Sequence, residues 1–199
     1  MTISHKTALL GVDDLKIFPI ENDSADEFVV GEGIDVPGVR QISLTFEIEQ
    51  KELTGDEKTL AVSSKIKSVT FNSEYAELSL DVLSALSGGS VSTSGTGDGE
   101  SAVFSFSDGD LPKYFQLQAK INGTDSIVGG DCHICIYKAK ASAIPINGTQ
   151  NDFATYTFDG KGVFTEYKFG SANAKAKLID IDFNAAAKEL SAKCSSAVV

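Results

Sequence analysis

The sequence predicts a mainly antiparallel β fold with one amphipathic helix, and three observations lead there. Several segments alternate apolar and polar residues with a period of two. In residues 42–49, Leu44, Phe46 and Ile48 face one way, and Ser43, Thr45, Glu47 and Glu49 face the other. Glycine is plentiful, with 18 in 199 residues, while tryptophan is absent and proline occurs only four times, which suits a turn-rich β protein without a Pro-rich linker. The 3.6-residue period is clearest over 73–87, where Tyr75, Leu78, Val82, Leu83 and Leu86 form one stripe.

Taken in order, residues 1–11 are a weak N-terminal segment. KIFPI, 16–20, reads as a strand or extended arm that Pro19 restricts to an edge. Residues 21–38 are acidic and glycine-rich and read as a loop reaching away from the core. Residues 50–64, QKELTGDEKTLAVSS, read as a long charged loop with a Gly-Asp turn signal. A second strand covers 65–71. The helix over 73–87 takes its first-turn cap from Asn72 or Ser73, and Gly88 or Gly89 ends it. Residues 88–101 are Gly/Ser-rich and read as flexible.

Four or five more strands follow. Ala102, Phe104 and Phe106 make one apolar face, and Phe115, Leu117, Ala119 and Ile121 another. Residues 132–140, 152–158 and 162–169 complete the set, and 175–183 reads as a last strand. Alternation in most of them predicts antiparallel sheets with one wetted face. Residues 184–193 suit a short helix, and the end frays. The chain is thus expected to hold one β domain over 1–183, with an N-terminal arm to about 38, and a tail or short helix over 184–199.

Charge and composition exclude several functions. Hydrophobic residues at 42% favour a folded chain over a disordered one. The net charge is −11, and residues 1–57 hold 13 acids against 4 bases, so the excess is N-terminal. Such a chain does not grip nucleic acid, since that affinity comes from Lys and Arg releasing phosphate counterions. Three cysteines suggest no disulfide framework, and no signal-peptide layout or membrane-length apolar run is present; a reducing, cytoplasmic site of synthesis is expected.

Candidate chemistry is sparse. Cys132-His-Ile-Cys135 has C-x-x-C spacing, the pattern of a redox pair or half a zinc site, but on a strand positions 132 and 135 point to opposite faces. Small hydrophobes in a sheet are the favoured reading. His5 and His133 are the only histidines, and neither is placed to activate a nucleophile. GTGDG at 95–99 lacks the Lys-Ser/Thr of a phosphate loop. No catalytic, metal or cofactor residue is expected. Glu47 and Glu49 share a strand face, which ordinarily means a solvated face.

Residues 36–89 combine VPGV at 36–39, an alternating strand ending in acids, KELTGDEK at 51–58 and SLDVLSALSGG at 79–89. With LLGVDDLKIFPI at 9–20, this stretch resembles the major tail protein, or tail tube protein, of long-tailed bacteriophages. Over 100–183 the likeness is one of strand pattern only. The resemblance implies an antiparallel β-sandwich or open barrel with one flanking helix. It implies hexameric rings whose strands join one multi-subunit barrel, and rings stacked into a tube through which DNA passes on ejection. Ser43, Thr45, Glu47 and Glu49 are then candidates for the lumen face, where acids repel phosphates. Lys51, Glu52, Asp56, Glu57 and Lys58 are candidates for inter-subunit and ring-stacking contacts, with register-setting ion pairs. Residues 21–38 are a second inter-subunit candidate, whereas Lys65 and Lys67 weigh against a uniformly acidic lumen. The partners implied are copies of itself, other phage tail proteins and transiently passing DNA, in a virion assembled in the bacterial cytoplasm without membrane insertion. A free β-sandwich that binds a carbohydrate or protein is the alternative, and an enzyme built on Cys132, His133 and Cys135 is the remaining reading.

Overall fold

Alternation along one strand buries one face and wets the other, so the longest strands decide where the core lies. In a computed structural model of the chain, the described residues are 9–55, 58–123, 130–148, 150, 152–171 and 173–195. In chain order they form β1 (Leu9–Asp23), β2 (Phe28–Val30), β3 (Ile34–Asp35), β4 (Val39–Gly55), β5 (Lys58–Tyr75), α1 (Leu80–Ser87), β6 (Ser90–Ser94), β7 (Ser101–Ser105), β8 (Phe115–Gly123), β9 (Asp131–Ala143), β10 (Tyr156–Val163), β11 (Lys168–Phe169), β12 (Lys175–Ala176) and β13 (Ile179–Phe183). The fold is mainly antiparallel β with one α-helix, as expected.

The principal sheet runs β2-β1-β8-β9-β10-β5-β4, with β3 added beside β1 and β13 beside β9; β6-β7 and β11-β12 are separate hairpins. Its concave face gathers Leu15, Ile17, Val69, Phe71, Phe115, Leu117, Ala119, Ile136 and Phe158, and α1 adds Val82 and Leu86. Phe115, Leu117 and Ala119 are buried as their alternation predicts. Phe71 packs edge-on against Phe115 and Phe158, with ring centroids 6.2 and 6.0 Å apart. Gly160 makes this possible, because a Cβ there would lie 2.2 Å from the Phe71 ring.

The hairpin of β4 and β5 corrects the loop expected over 50–64. The two strands pair from Val39↔Tyr75 to Gly55↔Lys58. β10 pairs with β5 only as far as Val69. The distal residues, 48–54 and 58–67, therefore stand in solvent on both faces as a two-stranded arm. Polar residues on both faces hide the alternation, so the segment reads as a loop although its backbone is paired.

Other boundaries shift for physical reasons. α1 begins at Leu80, because Ser79, not Asn72 or Ser73, accepts a hydrogen bond from the Val82 amide; Ser73 and Tyr75 belong to β5. Gly88 ends the helix in the left-handed conformation, φ 85°. β1 lies inside the sheet rather than at an edge. Pro19 is tolerated because it falls between β3, which pairs at Lys16 and Ile17, and β2, which pairs from Ile20. Residues 21–38 fold back as β2 and β3, burying Phe28, Val30 and Val36. Part of the Gly/Ser stretch forms β6 and a short 3-10 turn (Gly97–Gly99). The Ala102/Phe104/Phe106 stripe is not core: Phe106 is exposed, as is Val103 on the opposite side.

Residues 184–195 form an extended strap, not a helix, across the convex face. That face presents Gln116, Gln118, His133, Cys135 and Tyr137, so β8 and β9 are covered on both sides instead of one. Gln116 and Gln118 donate to the Lys193 and Ser191 carbonyls at 2.8 and 2.7 Å. Asp131 accepts from the Lys188 amide at 2.7 Å and the Asn184 side chain at 2.8 Å. The Ser195 amide donates to the Phe28 carbonyl at 2.9 Å. A strap held through backbone groups has no periodicity to reveal it.

Burial pushes the Asp131 carboxyl up, but the Lys188 amide, the Asn184 side chain and His133 together outweigh it and hold it below the usual carboxylate value. A depressed carboxyl stabilises the fold above its unfolded value, about pH 4, and that contribution is lost as pH falls through the folded value. Asp131→Asn should therefore cost about 1–3 kcal/mol at pH 7 and reduce the loss of stability between pH 4 and 2, measured by urea unfolding. An unchanged acid limb would contradict the role given to this carboxylate.

Candidate functional site

Register places Ser43, Thr45, Glu47 and Glu49 together on the convex side of β4, opposite Asn72, Thr70, Ser68 and Lys65 of β5. Asn72 and Thr70 lie opposite Asp159 and Lys161 of β10, and Lys161 lies opposite Lys140 of β9. The result is a continuous polar face over β4, β5 and β10. A shallow groove of about 310 Å³ lies within it, lined by Ser43, Thr45, Thr70, Asn72, Ser142 and Asp159.

Most polar groups on this face already have partners on it. The Asn72 side chain donates to Asp159 at 2.5 Å. Glu47 accepts from Lys161 at 2.5 Å and from the Ser68 hydroxyl at 2.6 Å. The Lys161 ammonium, and secondly the Ser68 hydroxyl, hold the Glu47 carboxyl below its ordinary value. Glu49 lies 3.7 Å from Lys51. With Lys161 paired to Glu47 and Lys65 opposite Glu49, the two glutamates are each matched by a lysine, and the face is charge-balanced rather than acidic. The groups described on it are hydroxyls, amides and matched ion pairs.

The contact candidates Lys51, Glu52 and Lys58 lie on the arm, exposed, while Asp56 and Glu57 lie outside the described residues. The arm also carries a feature that the charged reading of 50–64 passed over. On the continuation of the core face, Ile48 sits opposite Ile66 and Glu52 opposite Val62. Ile48, Leu60, Val62 and Ile66 are each 43–66% exposed, and Leu53, paired with Ala61 on the opposite face, is exposed as well. An isolated two-stranded ribbon is marginal in water, and this one shows water an apolar stripe. β4 is also the last strand of the sheet, with no strand paired along its outer edge among the described residues. Leu53, Leu60, Val62 and Ile66 were visible in the sequence, but only the pairing register shows that they sit on a projecting hairpin.

Cys132 and Cys135 face opposite sides of β9, pairing with Ile121 and Gln118 of β8. Burial raises both thiols, Cys135 to about 12, so both are protonated at neutral pH. His133 Nε2 lies 3.1 Å from Asp131 beneath the strap. Among the described residues no group of three or more His, Cys, Asp or Glu is placed to hold a metal ion, and no helix is long and apolar enough to cross a membrane.

No protein-family model matches the chain, and no curated protein is significantly similar to it.

Two measurements check this geometry. In Lys161→Met the Glu47 carboxyl should titrate closer to its ordinary value by carbon-detected NMR; an unmoved titration would mean that the ion pair is absent. Cys132 and Cys135 should resist maleimide in the native protein and react on unfolding in urea. Rapid native labelling of either would contradict their burial.

Proposed function

We propose that this chain is a structural, self-assembling subunit of the tail-tube type, whose copies form rings that stack into a tube conducting DNA in a long-tailed bacteriophage. The observation that carries the reading is the β4–β5 arm. It projects beyond its own sheet and, among the described residues, shows an uncovered apolar stripe and leaves a long strand edge unpaired. Neighbouring copies that cover the stripe and extend the sheet would satisfy both demands at once. The balanced polar face over β4, β5 and β10 supports a conduit, since weak and matched charge lets a polyanion pass without counterion-release binding. On this reading Ser43, Thr45, Glu47 and Glu49 face the lumen, and Lys51, Glu52 and Lys58 contact neighbours. The resemblance over residues 9–89 supports the same assignment.

The shallow Ser/Thr/Asn-lined groove on that face favours one alternative, a free β module that binds a polar ligand such as a carbohydrate.

Negative-stain microscopy of the purified full chain should show rings or tubes; a persistent monomer at high concentration, even with tail-initiation components, would overturn the proposal. Glu47→Lys/Glu49→Lys should still assemble. It would leave Lys161 and Lys51 without their Glu47 and Glu49 partners and make the face basic, so particles carrying it should eject DNA more slowly. Unchanged ejection would remove this face from the lumen.

A further inference from the structure

The tetrapeptide Ile-Asn-Gly-Thr occurs twice in the chain, at 121–124 and at 146–149. The same local sequence gives both copies the same intrinsic chemistry, so a difference in their behaviour has to come from the fold. Asparagine before glycine is open to attack by the backbone on its own side chain, because glycine has no Cβ to shield its amide nitrogen. That attack needs a free amide and a backbone that can turn the nitrogen toward the side-chain carbonyl.

The first copy is locked in the sheet. Asn122 lies near the end of β8 and pairs with Asp131 of β9. Gly123 pairs with Leu9 of β1, and its amide donates to the Gly130 carbonyl at 3.2 Å. Extended backbone also holds a side chain out to one face, away from the amide that follows it. The second copy lies between β9 and β10, where residues 144–148 have no regular structure. Ile146 is 59% exposed, and Asn147 and Gly148 are exposed with it. A Cβ on Gly148 would meet nothing within 4 Å beyond its chain neighbours. Asn122 is exposed too, so access to the side chain does not separate the two copies; freedom of the backbone does.

We propose that Asn147 is a site of spontaneous deamidation in the folded protein, and that pairing at the end of β8 protects the otherwise identical Asn122. The Gly148 amide nitrogen attacks the Asn147 side-chain carbonyl carbon. The N–Cγ bond forms, the Cγ–Nδ2 bond breaks, and ammonia leaves with the proton lost from the amide. Water then opens the succinimide at either carbonyl to give aspartate or isoaspartate, with no change of oxidation state. Either product adds a negative charge to an already acidic chain. Isoaspartate also routes the main chain through the side chain and lengthens it by a carbon. Exposed, irregular backbone between β9 and β10 absorbs that step, whereas the same step at Asn122 would break its pairing with Asp131. Nothing in this assignment depends on the assembly reading.

The test holds the purified full chain, dilute, in mildly alkaline buffer with and without urea. Brief digestion follows under mildly acidic conditions, where the reaction is slow. Cleavage after lysine leaves Asn122 in the peptide 121–138 and Asn147 in the peptide 141–161. Tandem mass spectrometry then reads the exchange of amine for hydroxyl at each site and separates Asn147 from Asn151. In the native protein Asn147 should convert about tenfold faster than Asn122, or more. In urea the two should convert at similar rates. Gly148→Val, which shields the nitrogen and has open space for its side chain, should slow Asn147 markedly and leave Asn122 as it was. Equal native rates, or faster conversion at Asn122, would overturn the proposal. So would a gap that persists in urea, since the fold would not be its cause, or an unchanged Asn147 rate in Gly148→Val.

Discussion

One strand must satisfy two environments. β5 is buried from Ser68 to Tyr75, where Val69, Phe71 and Tyr75 fill the core, and exposed from Lys58 to Lys67. The change comes where β10 ends. While β10 is alongside, β5 has partners on both edges and a packed face; beyond it, β5 pairs among the described residues with β4 alone. The length of β10, eight residues against eighteen for β5, makes an arm out of what would otherwise be an interior hairpin. The exposure of the Ile48–Ile66 pair follows from that mismatch.

The opposite face meets a different constraint. β8 and β9 carry Gln116, Gln118 and Cys135 on their convex side, too buried to be left to water. The chain supplies its own cover there by laying the strap down and donating or accepting at nearly every polar group beneath it. Among the described residues no comparable cover reaches the arm. Among them, the strap closes one side of the sheet while the arm stays exposed.

The sequence made part of this legible. The Phe115/Leu117/Ala119 face and the Leu44/Phe46/Ile48 alternation could be read directly, because one buried face imposes a period of two. The helix end was legible because Gly88 takes a conformation that other residues resist. The start of the helix was not, since Tyr75 fits both a helical stripe and a strand face, and only tertiary pairing decides between them. The arm leaves a weaker pattern because alternation is written by a buried face, and residues 50–54 and 58–64 are exposed on both faces. The strap escaped notice for a related reason, because its anchors are side chains 53 to 77 positions away. At the candidate site, parity along β4 correctly grouped Ser43, Thr45, Glu47 and Glu49, but the lysine that neutralises Glu47 comes from residue 161, and no local pattern points there.

Hydrogen–deuterium exchange, read by mass spectrometry on dilute and on assembled protein, tests the central claim most directly. If neighbouring copies complete the arm, amides of residues 58–67 exchange rapidly in the dilute monomer and slow by at least tenfold on assembly, while the β8–β9 amides stay protected in both. Equal, rapid exchange of the arm in both states would contradict the account.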